Sequence, residues 1–112
     1  MNIFHGSYNC KKKSKTQETR VAKELGGRTQ PGSGAFEHFK GDVKTPDYLM
    51  EAKRTDKNSI TVKGEWLSKI DHEAINAGKK PALVIEIGGM TGFTENEWVA
   101  IPLSDFKKLI GE

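Results

Sequence analysis

The sequence predicts an α/β fold with a mixed central β-sheet flanked by helices, and three stretches carry that prediction. Residues 14–25 place apolar side chains at helical spacing, residues 48–87 run strand, helix, strand, and residues 97–102 read as one more strand. A β-helix-β order requires a crossover and so a parallel pairing, right-handed by the general rule. The strand after the loop at Gly88–Glu95 is expected to run antiparallel to 82–87. The chain has 112 residues, enough for one modest core and one domain. That domain is expected over 14–112, behind a flexible basic arm over 1–13.

Each element has its own signals. Ser14 or Thr16 can cap the first helix, Gln17 stands at the third position of a capping box, and Gly26-Gly27 stops it. Val21, Ala22 and Leu25 mark its buried stripe. Glu18, three and four residues before Val21 and Ala22, shares that stripe, where a carboxylate is costly unless paired or bound to metal. The helix dipole also favours a first-turn glutamate, and Glu24 is a rival acid lying off the stripe. A polar loop with Pro31-Gly32-Ser33-Gly34 follows, without the spacing of a nucleotide-triphosphate loop. Short strands are expected at about 35–38, 41–45 and 48–54, with a turn at Thr45-Pro46-Asp47.

Tyr48 to Lys53 carries apolar residues on both faces, which suits a central strand covered on both sides. The helix from Gly64 to Ala77 shows Trp66, Leu67, Ile70, Ala74 and Ala77 on one stripe, with Lys69, Asp71, His72 and Glu73 around it. Lys69 borders the stripe and can reach the sheet end or extend into solvent. Pro81–Ile87 is an apolar central strand. Ser104 is expected to cap a last helix over Asp105–Ile110, with Phe106, Leu109 and Ile110 facing inward.

The chain is 35% hydrophobic and 29% charged, with a net charge of +3. Lys11, Lys12, Lys13, Lys15 and Arg20 crowd its start, which fits either phosphate-backbone contact or a solvated tail. No apolar run approaches the roughly 20 residues of a membrane span. The first residues lack the apolar core of a signal peptide, and the lone Cys10 rules out an internal disulfide. A protein of the reducing cytoplasm is therefore expected.

The chemistry concentrates at Asp42 and at Glu51-Ala52-Lys53. Glu51 and Lys53 are two apart on one strand, so their side chains leave the same face, and the hairpin brings in Asp42. Two acids and a lysine converging there are the minimum equipment for metal-assisted phosphodiester hydrolysis. Pro46-Asp47 offers a rival acid, only four residues before Glu51; Asp42 is preferred and Asp47 is the alternative.

With Glu18, the glycine-serine loop, Gly41-Asp42 and Glu51-Ala52-Lys53 in this order, the chain resembles the PD-(D/E)xK nuclease superfamily. Within it, the likeness is to archaeal-type Holliday-junction resolvases and their phage and bacterial relatives. The resemblance spans residues 14 to about 101 and includes the Gly78-Lys79-Lys80-Pro81 connection, although the separation of Asp42 from Glu51 is short for the family. It implies a restriction-endonuclease-like core and catalytic roles for Glu18, Asp42, Glu51 and Lys53. Asp42, Glu51 and the Ala52 carbonyl would hold Mg²⁺, for which Mn²⁺ can substitute. DNA, four-way or otherwise branched, would be gripped through Lys11, Lys12, Lys13, Arg28, Ser33 and Lys69 by a homodimer. A nicking, restriction-like or repair nuclease on duplex or flap DNA, and a DNA-binding module without turnover, are the alternatives.

Overall fold

Helix α1 (15–24) comes first in the structure, a computed structural model that describes residues 15–29, 42–90 and 95–111. It is followed by β1 (Arg28–Thr29), β2 (Val43–Lys44), β3 (Tyr48–Thr55), α2 (Gly64–Asn76), β4 (Lys80–Ile87), β5 (Glu97–Ala100) and α3 (Leu103–Leu109). The five strands form one mixed sheet in the order β1-β2-β3-β4-β5. β3 and β4 are parallel, and β4 and β5 are antiparallel, as the chain order predicts. β1, β2 and β3 complete the sheet with antiparallel pairings. The basic arm over 1–13, Ser33 and the strand expected at 35–38 lie outside the described residues.

Glycines end the first two helices. Gly26 and Gly78 both take φ of 69°, the left-handed turn that a Cβ disfavours. Gly27 then donates to the Ala22 carbonyl at 2.8 Å. A side chain at 27 would collide with the Lys44 carbonyl oxygen, so the glycine pair lets α1 close directly against β2.

The strand alternation sorts the core into two halves. Val21 and Ala22 of α1 pack with Val43, Met50, Ala82 and Val84 on one face of the sheet. Leu49 packs with Ile70 and Ala74 of α2 on the other. β3 is thus covered on both faces, which is why its sequence does not alternate cleanly. Each fully buried Leu or Val here contributes about 1.5–3 kcal/mol of burial. Among the described residues no helix is long and apolar enough to cross a membrane.

Several expectations need correction. On α2, Ile70 and Ala74 are buried, but Leu67 is 43% exposed, Ala77 is exposed, and Glu73 is buried in their stead. The line of contact with the sheet passes through Glu73, which the apolar pattern cannot show. Leu25 is also about half exposed, because the chain turns away at Gly26. The last strand ends at Ala100. α3 begins at Leu103, after Pro102, with no side-chain cap from Ser104. It buries none of its residues: Phe106, Leu109 and Ile110 are 49%, 66% and 61% exposed. Helical periodicity reports an apolar face, not a surface to cover it.

Candidate active site

The hairpin of β2 and β3 builds the site. Its turn is closed by Thr45 N–H donating to the Tyr48 carbonyl at 2.9 Å and Tyr48 N–H donating to Thr45 Oγ1 at 3.0 Å. β2 pairs with β3 only at Val43↔Met50 and Lys44↔Leu49. Asp42 N–H still reaches the Met50 carbonyl at 2.7 Å. Past that point the Asp42 side chain continues the ladder, its Oδ2 accepting from Ala52 N–H at 2.8 Å. The N–H and C=O of one strand residue leave by the same edge, so the Ala52 carbonyl faces the same side as Asp42.

Glu51 projects to the α2 face, like Leu49 two residues before it. It and Asp42 are each only 8% exposed, and their carboxyl groups are hydrogen-bonded to one another. Burial pushes the Glu51 carboxyl up to about 7, the Asp42 charge adds to that, and Lys69 and Lys53 pull it down. Lys53 Nζ lies 3.7 Å from Glu51 Oε2 and Lys69 Nζ lies 3.8 Å from Oε1, so two lysines bracket one carboxylate. Lys69 also lies 3.9 Å from Glu73 Oε2, one helical turn along α2.

Glu18 reaches this cluster from α1, on the opposite face of the sheet. Its carboxyl is raised to about 6, first by burial and then by Asp42, against the pull of Lys15. Asp42 is therefore the neighbour common to both other acids, at the edge where the two faces meet. The fold thus brings Glu18, Asp42, Glu51, Lys53 and Lys69 together. Asp47 is exposed on the turn before β3, with its carbonyl accepting from Lys80 N–H at 2.8 Å. Glu24 and His72 are exposed as well. Arg28 stands apart, beside Lys44, Thr45 and Lys79 on a cleft of about 300 Å³ at the turn end of the hairpin. Lys11, Lys12, Lys13 and Ser33 fall outside the described residues.

Sequence reasoning missed three side chains that surround the cluster. Gln17 is 2% exposed, and its Nε2 donates to the Lys53 carbonyl at 3.2 Å and to Glu97 Oε2 at 3.3 Å. Its position four before Val21 was the available signal. Trp66, one of the apolar markers of α2, lies over Lys53, with Nζ 4.8 Å from the ring centroid. Glu73 holds Lys69 from below, and no signal in the sequence marks it as buried. A cleft of about 460 Å³ elsewhere is lined by Leu67, Ile70, Asp71, Pro81, Leu83, Ile101 and their neighbours, and none of Glu18, Asp42, Glu51 or Glu73 belongs to it.

The donor set suits a small divalent cation. Two buried carboxyl groups in contact, with a backbone carbonyl facing the same edge, offer the hard oxygens such an ion takes. Hard oxygen ligands without sulfur or imidazole favour magnesium or manganese over zinc. No protein-family model matches the chain, and no curated protein or solved structure matches it.

Proposed function

We propose that this chain is a divalent-metal-dependent endodeoxyribonuclease with a restriction-endonuclease-like core, nicking branched DNA such as a four-way junction. The observation that carries this reading is the buried Asp42–Glu51 carboxyl pair beside Lys53, at the start of β2 and on the neighbouring β3 of a mixed sheet. A carboxyl pair at this burial is costly to the fold and needs a cation to be worth keeping. Asp42, Glu51 and the Ala52 carbonyl would hold Mg²⁺ or Mn²⁺. A bound ion of this kind supplies an activated water and a counter-charge for a phosphate.

The remaining work falls to side chains. Lys53 orients the attacking water and stabilises charge on the phosphate oxygens. Water adds to phosphorus, the bond to the 3′ oxygen breaks, and a 5′-phosphate and a 3′-hydroxyl result. Glu18 holds a second water from the α1 side. Lys69, more than half exposed, faces the approaching backbone, while Arg28, Ser33 and Lys11 to Lys13 would add phosphate contacts. A homodimer would present two such sites to the strands of a two-fold junction, with specificity from branch shape rather than base edges.

The test is strand cleavage in Mg²⁺ on a four-way junction, a flap and a linear duplex of the same sequence. Preferential nicking of the junction supports the proposal. Equal cleavage of linear duplex would make the protein a different nuclease on the same fold, and junction binding without any cleavage would make it a DNA-binding module.

A further inference from the structure

The ammonium of Lys53 lies 3.7 Å from the Glu51 carboxylate and 4.8 Å from the centroid of the Trp66 ring. Trp66 lies in the first turn of α2, where its N–H donates to the Lys63 carbonyl at 3.0 Å. Side chains on a helix lean toward its N-terminus, and that lean carries the indole over the α2 face of β3. Lys63 Nζ is 5.9 Å from the same ring, at the outer limit of such a contact. Lys53 is thus held between one charged and one uncharged partner.

The two partners respond differently to a divalent cation. With an ion at the Asp42–Glu51 pair, the Glu51 charge is neutralised and the ion itself repels a neighbouring ammonium. The ring acts through its quadrupole and carries no net charge, so its attraction for Lys53 persists. Resting on the nuclease reading above, we propose that Trp66 is the positioning residue for Lys53, its ring holding the ammonium over the site once Glu51 is engaged with a divalent cation.

Contacts of this type convert to roughly 3- to 30-fold in rate when the held group acts on the transition state. Single-turnover cleavage of a four-way junction in Mg²⁺ is therefore measured for Trp66→Leu, Trp66→Phe, Lys53→Ala and the Trp66→Leu/Lys53→Ala double variant. Trp66→Leu is expected to lose about 10-fold in rate with junction affinity changed less than about twofold. Trp66→Phe should recover most of the loss, because it restores a ring of smaller size. Trp66→Leu should add nothing to Lys53→Ala, since each removes the same contact. A second measurement needs no activity: the ring-current shift of the Lys53 ε-methylene protons, followed by NMR while Mg²⁺ is added.

An upfield shift that persists in saturating Mg²⁺ and vanishes in Trp66→Leu supports the proposal. Equal rates for Trp66→Phe and Trp66→Leu, additive losses with Lys53→Ala, or a shift that collapses as Mg²⁺ binds would each overturn it. Should the wild-type protein cleave no DNA, the nuclease reading falls and the NMR result alone decides the role of Trp66. Mg²⁺ that perturbs neither Glu51 nor Lys53 would overturn both.

Discussion

Two clusters of charge sit against one sheet of this chain, each built around four acids, and they behave in opposite ways. One joins Glu24, Asp56, Glu86 and Glu97 through Arg20 and Arg54. The other joins Glu18, Asp42, Glu51 and Glu73 with Lys53 and Lys69. In the first, Glu86 and Glu97 face each other across β4 and β5, and Arg20 sits between them, bonded to Glu97 and 3.5 Å from Glu86. Arg54 reaches Glu86 at 3.2 Å and Asp56 at 3.0 Å. A planar guanidinium matches carboxylates in this forked way. In the second, Asp42 and Glu51 lie against each other, while the lysines stand 3.7 and 3.8 Å from Glu51.

The difference lies in what occupies the space between two carboxyl groups. At Glu86 and Glu97 it is a cation belonging to the chain, and the cluster fastens α1 to the sheet. At Asp42 and Glu51 the two carboxyls meet directly, and burial raises Glu51 to about 7. The first arrangement serves the fold; the second costs stability, which the proposed cation would offset.

The comparison breaks first under Glu51→Gln or Asp42→Asn. Either should reduce Mg²⁺-dependent cleavage on the order of 10³-fold. DNA binding should stay near wild type or tighten, because a carboxylate repels phosphate; gel-shift titration beside the rate measurement checks both. The same variants should leave the melting temperature of the metal-free protein unchanged or higher, since they remove a buried like-charge contact.

Arg20→Ala should do the reverse. It removes the cation between Glu86 and Glu97, leaving Arg54 on Glu86 only, and should destabilise the fold by about 1–2 kcal/mol in urea titration. The acids at Asp42 and Glu51 remain in place, so the junction-cleavage rate of the folded fraction should change far less.

The response to pH comes next. The Glu51 and Glu18 carboxyls lie above their ordinary value, at about 7 and about 6. Between those values and the ordinary value near 4.5, the folded chain holds protons that the unfolded chain has released. Stability of the metal-free protein should therefore fall as pH rises from about 4.5 to 7. Mg²⁺ should raise the melting temperature more at pH 8 than at pH 5.5, because at the lower pH it competes with the proton on Glu51. Thermal melts across this range with and without Mg²⁺ show whether the two effects run together.

The smallest effect is expected from Lys69→Ala. Its side chain is 58% exposed and its two ion pairs are 3.8 and 3.9 Å long, so the loss in urea titration should stay within about 0.5 kcal/mol. That contrasts with Arg20, whose forked contacts are shorter and multiple.

Local chemistry made much of this legible in the sequence. Glu51 and Lys53 share a face because a strand has period two, and Asp42 meets them because the Thr45–Tyr48 turn leaves only one short hairpin. The β-α-β order required the parallel pairing of β3 and β4. What stayed hidden depends on contacts between distant segments. The Arg20–Glu97 pair spans 77 positions, and Gln17 reads as a capping residue until Lys53 and Glu97 come against it. Trp66 and Glu73 exchange expectations: the indole looks like core and the acid like surface, yet one lies over a lysine and the other is buried. α3 shows the same limit, since an apolar stripe over Phe106, Leu109 and Ile110 does not state what it faces.

Asp42 and Glu51 are proposed to hold a divalent cation as a pair. Calorimetric titration of Mg²⁺ into the wild-type protein and Glu51→Gln at pH 8, without DNA, addresses this without relying on activity. The wild type should give a binding isotherm that Glu51→Gln loses or weakens by at least an order of magnitude, about 1.4 kcal/mol. Equal binding by the two proteins, or none by the wild type, would contradict it.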